Sequence, residues 1–230
     1  MSSAARPGLA VFDCDGTLVD SQHSIFSCMN AAFGAEGLSP PSIDAVRRVI
    51  GLPLAECMAR LAPSEQPARH GRLAEAYKAY FFELRQRPDH HEPLFDGALD
   101  ALDALSASGY LLGIATGKAR RGLMSVLERH GIVGRFVTLQ TSDLAPGKPS
   151  PDMLLRAIAE TGADREATLM IGDTTFDMLM ARNAGVRAIG VRWGYHPAEE
   201  LDAAGADALV DTFADLPDAV HRLKRRVSCA

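Results

Sequence analysis

Apolar positions change rhythm twice along this chain. Leu9 to Phe12 is an unbroken apolar run that stops at Asp13, the pattern of a parallel strand buried on both faces. From residue 21 to 87 the strand rhythm is absent. Ile25, Phe26, Met29, Ala32 and Phe33 recur on one helical face. Leu54, Cys57, Met58 and Leu61 do the same after Pro53, which suits a first helical turn, and Leu73, Tyr77, Tyr80, Phe81 and Leu84 continue the pattern. Ser39-Pro40-Pro41 and Ala62-Pro63-Ser64 break this stretch into pieces. From Pro93 onward strands and helices alternate. The pattern predicts strands at 110–115, 136–139, 168–171, 188–191 and 208–210, with helices at 119–129, 151–160 and 176–183, the last stopped by Gly185.

Alternating strands and helices imply parallel pairing, so the expected fold is α/β, a doubly wound parallel sheet. The first strand then belongs to the same sheet as the later ones. The helical stretch is an insertion directly after it. The expected units are residues 1–20 and 90–230 for the sheet and 21–89 for the insertion, joined by linkers at 19–22 and 88–93.

Composition narrows the class. The chain has 230 residues and a formal net charge of −5, enough for one sizeable α/β unit with an appendage and without the basic stripe that nucleic-acid binding needs. No apolar run is long enough to span a membrane, and the opening MSSAARPGLA lacks the apolar stretch of a secretion signal. Cys14, Cys28, Cys57 and Cys229 form no CxxC pair and read as reduced thiols, so a cytoplasmic protein is expected. The Arg222, Lys224, Arg225 and Arg226 cluster reads as a solvated helix end.

Candidate chemistry stands at the strand ends, where ligands bind in open α/β sheets. The first strand ends in Asp13-Cys14-Asp15-Gly16-Thr17, the second in Thr116-Gly117-Lys118. The third leads to Gly147-Lys148-Pro149 before a helix, and the fourth ends in Gly172-Asp173-Thr174-Thr175-Phe176-Asp177. Two carboxylates two residues apart repel unless a cation lies between them. Hard oxygen donors suit Mg²⁺, and Asp13, Asp15 and Asp173 are candidates to converge on one ion. A lysine and a hydroxyl suit the moving charge of phosphoryl transfer. One carboxylate can be the nucleophile, and a second can protonate the leaving oxygen and then activate water.

These four segments, in this order and over nearly the whole chain, resemble the motifs of the haloacid dehalogenase superfamily, in the phosphatase subfamily that includes phosphoglycolate phosphatases. The resemblance implies a sheet of that superfamily's type and a Mg²⁺-dependent phosphatase acting on a small phosphorylated metabolite. It implies Asp13 as nucleophile and Asp15 as acid/base that also offers its backbone carbonyl to the metal. Thr116, Gly117 and the Gly16 loop would hold the phosphoryl group, Lys148 would neutralise charge, and Asp173 would ligate Mg²⁺. Asp177 would support Lys148 or a metal-bound water. The insertion corresponds to a helical cap placed between the first two motifs. Arg47, ahead of Ile50-Gly51-Leu52-Pro53, resembles a substrate-facing cap arginine. Cys14 departs from the bulky apolar residue usual at its position and is expected to pack.

Other readings remain open from the sequence. Lys118 reads equally as a phosphate contact or a solvated helix start. His90-His91-Glu92 reads as a solvated hinge, and His23 and His196 as ordinary residues near the mouth. Trp193 and Tyr195 either edge the pocket or pack. A β-phosphoglucomutase-like mutase or a pyrophosphatase would share the chemistry. A phospho-acceptor receiver domain would share the residue types, but its acceptor aspartate belongs to a middle strand and it has no cap. A dehalogenase would leave Asp15 superfluous. Oligomeric state and the identity of the metabolite are not encoded in these patterns.

Overall fold

The computed structural model describes residues 6–227, with side chains to residue 224. Cys229, the opening residues 1–5 and the side chains of Arg225 and Arg226 lie outside the described residues. Six strands form one parallel sheet: β1 (Gly8–Phe12), β2 (Tyr110–Thr116), β3 (Thr138–Thr141), β4 (Thr168–Gly172), β5 (Arg187–Val191) and β6 (Ala208–Val210). Their order is β3-β2-β1-β4-β5-β6, and every pairing is parallel. The chain thus winds outward one way from β1 to β3 and the other way from β4 to β6. The crevice this reversal creates lies between the carboxyl ends of β1 and β4, where open α/β sheets bind ligands.

Both faces of the sheet are covered. Ala10 and Phe12 of β1 point into a core shared with Ile114, Leu102, Leu123 and Phe213. Leu9 and Val11 point into the opposite one, with Leu154, Met170 and Met178. This is strand alternation in a sheet with no solvent face, which is why β1 reads as continuously apolar. The flanking helices are α5 (Ala98–Ala107), α6 (Arg120–Arg129), α7 (Asp152–Thr161), α8 (Thr175–Ala184), α9 (Ala198–Ala204) and α10 (Leu216–Val227). A capping box at Thr174 and Asp177 starts α8, so an acidic residue of the fourth motif fixes the entry of its own helix.

Between β1 and α5 lie four helices: α1 (Gln22–Ala35), α2 (Ile43–Arg47), α3 (Leu54–Leu61) and α4 (Pro67–Gln86). They have a core of their own, including Met29, Phe33, Met58, Leu73 and Phe81. The two connecting segments run side by side. Asp20 N donates to Pro93 O at 2.9 Å, Phe95 N donates to Leu18 O at 3.0 Å, and Val19 bridges Leu94 in antiparallel fashion. Among the described residues, no helix is long and apolar enough to cross a membrane.

The sequence pattern misplaces one strand. The expected strand at 136–139 is shifted: Phe136 closes a short 3-10 turn (Val133–Arg135) and plugs the core, while β3 itself is Thr138–Thr141. This strand is polar yet buried, because Glu160 of α7 accepts from Thr138 Oγ1 at 2.6 Å and from Gln140 Nε2 at 2.8 Å. Satisfied polar groups can be buried, and they erase the apolar signal that marks a strand.

Candidate active site

The strand ends deliver their side chains into one buried cluster. Asp13 follows β1, and its amide donates to Ile171 O of β4 at 2.9 Å, so β4 holds the backbone at that point. Asp13 Oδ1 accepts from Cys14 N at 2.7 Å and pairs with Lys148 Nζ at 2.9 Å. Its Oδ2 is buried with no hydrogen-bond partner among the described residues. Lys148 Nζ also pairs with Asp177 Oδ1 at 2.6 Å, while Asp177 Oδ2 accepts from Thr174 N and Oγ1 at 3.0 and 2.7 Å. Asp173 is held on both oxygens, by Thr17 Oγ1 at 2.7 Å and Tyr195 N at 3.0 Å.

Burial shapes the protonation of this cluster. It pushes the Asp13 carboxyl up to about 7, against the pull of Lys148. Burial, followed by the Asp13 and Asp177 charges, also pushes Asp173 far up. Burial works against the Lys148 ammonium, but Asp13 and Asp177 outweigh it and hold the lysine more basic than usual. An acid whose pKa is higher folded than unfolded holds more protons in the native state between those two values, so stability falls as pH rises through them. In chelator, the urea midpoint of the wild type relative to that of Asp13→Asn is therefore expected to fall between about pH 4 and pH 7. A flat difference would remove the raised Asp13 from the account.

Carboxylate oxygens of Asp13, Asp173 and Asp177 lie within 4.8 Å of one another. With an orphaned Asp13 Oδ2 among them, this all-oxygen set fits a hard divalent cation. The carboxylate trio differs from the expected one, since the Asp15 side chain stands outside it. Asp15 Oδ1 accepts from Ser21 Oγ at 2.5 Å and pairs with Lys118 Nζ at 2.8 Å. Lys118 is thus neither a solvated helix start nor a free cation. Burial disfavours its charge, but Asp15 and Glu92 outweigh that and raise its pKa.

Glycines let backbone come close. Gly16 sits at φ +81°, and a Cβ there would lie 2.3 Å from Asp173 Oδ2 and 2.6 Å from the Tyr195 ring. Gly117 follows Thr116 at the end of β2, where Thr116 Oγ1 accepts from Lys118 N at 3.2 Å. A Cβ on Gly117 would lie 2.6 Å from Gly51 O and 2.8 Å from Leu52 O. The loop before α3 therefore rests directly on the second motif. Val49, Leu52 and Cys57 pack on Phe176 of α8, and Arg48 pairs with Glu200. The helical insertion is closed down on the sheet.

A cavity of about 480 Å³ lies between them. Asp13, Asp15, Thr116, Gly117 and Lys118 line its sheet side, and Ile25, Met29, Leu54, Tyr77, Phe81 and Arg85 line its helical side. Arg47 is not among its lining residues. It donates to Gln22 Oε1 at 2.7 Å, at the start of α1, and lies 3.6 Å from Asp44, because the short α2 turns its end toward the linker. The return linker is solvated only in part: Pro88, Asp89 and His91 are exposed, but the side chains of His90 and Glu92 are not. His90 and Glu92 side chains are 2% and 3% exposed and paired at 3.2 Å, and Phe81 packs edge-on to His90. His23 is exposed and His196 is buried, its Nδ1 accepting from Thr175 N at 3.2 Å. Trp193 and Tyr195 buttress the first motif: Trp193 Nε1 donates to Thr17 O at 3.0 Å, and Tyr195 Oη lies 3.3 Å from Ser21 Oγ. Cys14 packs in the core, as expected from its alternation away from the aspartates.

The family model for haloacid dehalogenase-like hydrolases matches residues 10–191. A probable phosphatase, IndB, of Dickeya dadantii is 38% identical over 220 residues, covering 94% of each chain. A phosphoglycolate phosphatase of Agrobacterium fabrum is 32% identical, covering 96% of this chain and 95% of its own. An N-acetylmuramic acid 6-phosphate phosphatase of Pseudomonas aeruginosa is 31% identical over 92% of this chain and 94% of its own. Among solved structures, a hydrolase from Pseudomonas syringae superposes with a TM-score of 0.83 at 27% identity, covering 94% of this chain and 98% of its own. The chain belongs to the haloacid dehalogenase-like hydrolase family and is an enzyme of its phosphatase class.

Proposed function

We propose that this chain is a Mg²⁺-dependent phosphomonoesterase acting on a small phosphorylated metabolite, phosphoglycolate-like or a sugar phosphate, through a phosphoryl group carried on Asp13. The observation that carries this reading is the state of Asp13. Its Oδ1 is fixed by Cys14 N and Lys148, while Oδ2 is buried and unpartnered beside a cavity that Thr116 and Gly117 also line. A carboxylate oriented on one oxygen and free on the other is a prepared nucleophile.

In the first step Asp13 Oδ2 attacks phosphorus and the bond to the leaving oxygen breaks, with Asp15 giving that oxygen a proton. In the second, Asp15 takes a proton from water as the water oxygen attacks phosphorus. The acyl-phosphate P–O bond breaks, and Asp13 and inorganic phosphate are released. Thr116 Oγ1 and the Gly117 amide hold the phosphoryl oxygens, and Lys148 keeps the Asp13 carboxylate charged. Asp13, Asp173 and the Asp15 carbonyl would hold Mg²⁺, with Asp177 at the edge of the set. When bound, the ion would supply neutralisation of the carboxylates and of the phosphoryl oxygens. The helical insertion acts as a cap that excludes water from the acyl phosphate until the alcohol leaves. Ser21 ties this cap to the chemistry, because it is a linker residue that hydrogen-bonds Asp15. A cytoplasmic setting, with neither nucleic acid nor membrane as partner, completes the proposal.

The test is phosphate release from a panel of phosphorylated metabolites with Mg²⁺ or with chelator. Release is expected to fall at least about 100-fold in chelator and to return on adding Mg²⁺. Metal-independent release would contradict the reading. Isomerised sugar phosphates with no free phosphate would turn it into a mutase.

A further inference from the structure

The phosphate end of the cavity is small, but the cavity is not. Its volume of about 480 Å³ is in the range of pockets that enclose drug-sized ligands, and a glycolyl group would occupy one corner of it. The wall facing away from Asp13 is apolar, with Ile25, Met29, Leu54, Tyr77 and Phe81. A two-carbon hydroxy acid has no apolar surface to place against that wall, so the driving force of burial there would go unused.

One cation on this wall lacks an oxygen partner. The Arg85 guanidinium lies 4.1 Å from the centroid of the Phe81 ring, and its Nε is buried with no hydrogen-bond partner among the described residues. Arg85 also makes no ion pair among the described residues. A buried N–H left unpaired is costly, and the planar guanidinium presents its donors in a rigid fork that matches a carboxylate or similar oxygen acceptor. The neighbouring buried cation, Lys118, is already engaged by Asp15.

We infer that the substrate is the phosphate monoester of a ring-bearing alcohol, with apolar surface for the α1–α4 wall and an oxygen acceptor, remote from the phosphate, for Arg85. Arg85, not Arg47, is then the cap arginine that reads the leaving group. This rests on the reading of Asp13 as phosphoryl acceptor, which puts the phosphate at the sheet end of the cavity.

The experiment compares kcat/KM for phosphoglycolate, ribose 5-phosphate, uridine 5′-monophosphate and N-acetylmuramic acid 6-phosphate, with p-nitrophenyl phosphate reporting the chemistry alone. The best ring-bearing substrate is expected to exceed phosphoglycolate at least about tenfold. Arg85→Gln is expected to raise its KM about tenfold or more with a much smaller change in kcat, and Arg85→Lys to recover part of the loss. Phosphoglycolate as the best substrate would overturn the inference while leaving the phosphatase reading intact. So would an unchanged KM in Arg85→Gln alongside a raised KM in Arg47→Gln. A protein that releases phosphate from nothing, p-nitrophenyl phosphate included, would remove the catalytic reading and this inference with it.

Discussion

Asp13→Asn is expected to reduce phosphate release by about 10⁴-fold or more, the scale of loss when a nucleophile is removed from a catalytic unit. The substitution keeps shape and burial. It keeps Oδ1 as an acceptor for Cys14 N if the amide nitrogen takes the Oδ2 position. What it loses is the charge and the attacking oxygen. Burial already pushes the Asp13 carboxyl up to about 7, so the native fold gives up stability to keep it ionised at neutral pH. The variant is therefore expected to be at least as stable as the wild type at pH 7.5 in chelator, as read by urea unfolding. Loss of activity with retained stability separates a chemical role for Asp13 from a structural one.

Lys148→Met is expected to damage both. The lysine side chain is fully buried and lies between two carboxylates, at 2.9 Å from Asp13 and 2.6 Å from Asp177. Removing one partner of a buried pair leaves an uncompensated charge, a loss of about 3–5 kcal/mol, here shared with Asp173 in the same cluster. For a chain of this size that is a fall in Tm of roughly 10 °C. The loss is expected to grow as pH rises, since the Asp13 and Asp173 carboxyls, both pushed up by burial, can take up protons at low pH but not at high pH. Mg²⁺ is expected to restore part of the stability by returning positive charge to the cluster. In Mg²⁺, kcat is expected to fall about 10²–10³-fold, the scale for losing one preorganised electrostatic partner. Thermal melts at pH 5 and pH 8, with and without Mg²⁺, check the stability half. Equal Tm values for variant and wild type would contradict it.

What was legible in the sequence is what lies along the chain. The apolar run ending at Asp13, the hydroxyl closing β2 and the Gly172-Asp173 strand end each sit next to their own strand, so local pattern places them. The helical texture of residues 21–87 likewise marked an inserted unit, although the short α2 and the amphipathic α5 passed without a clear signal. What was not legible depends on pairs brought together by folding. Thr17 holds Asp173 from 156 positions away. From the loop after β5, Tyr195 holds Asp173 of the fourth motif and Trp193 holds Thr17 of the first. Glu92 and His90 bury each other on a segment that reads as solvated linker. Arg47 and Arg85 are both arginines on helical segments, and only the packing of α2 and α4 decides which one meets the cavity. The polar β3 was shifted for the same reason, because Glu160, the partner that permits its burial, comes from a different element.

The central claim is that the phosphoryl group passes through Asp13. The most direct measurement is acid quench during turnover of the best panel substrate in Mg²⁺, followed by peptide mapping for a phosphoryl adduct that is labile to hydroxylamine. The account predicts an acyl phosphate on the peptide containing Asp13, absent in Asp13→Asn and discharged when substrate is exhausted. Steady phosphate release with no adduct on that peptide, or with the adduct on another residue, would contradict it.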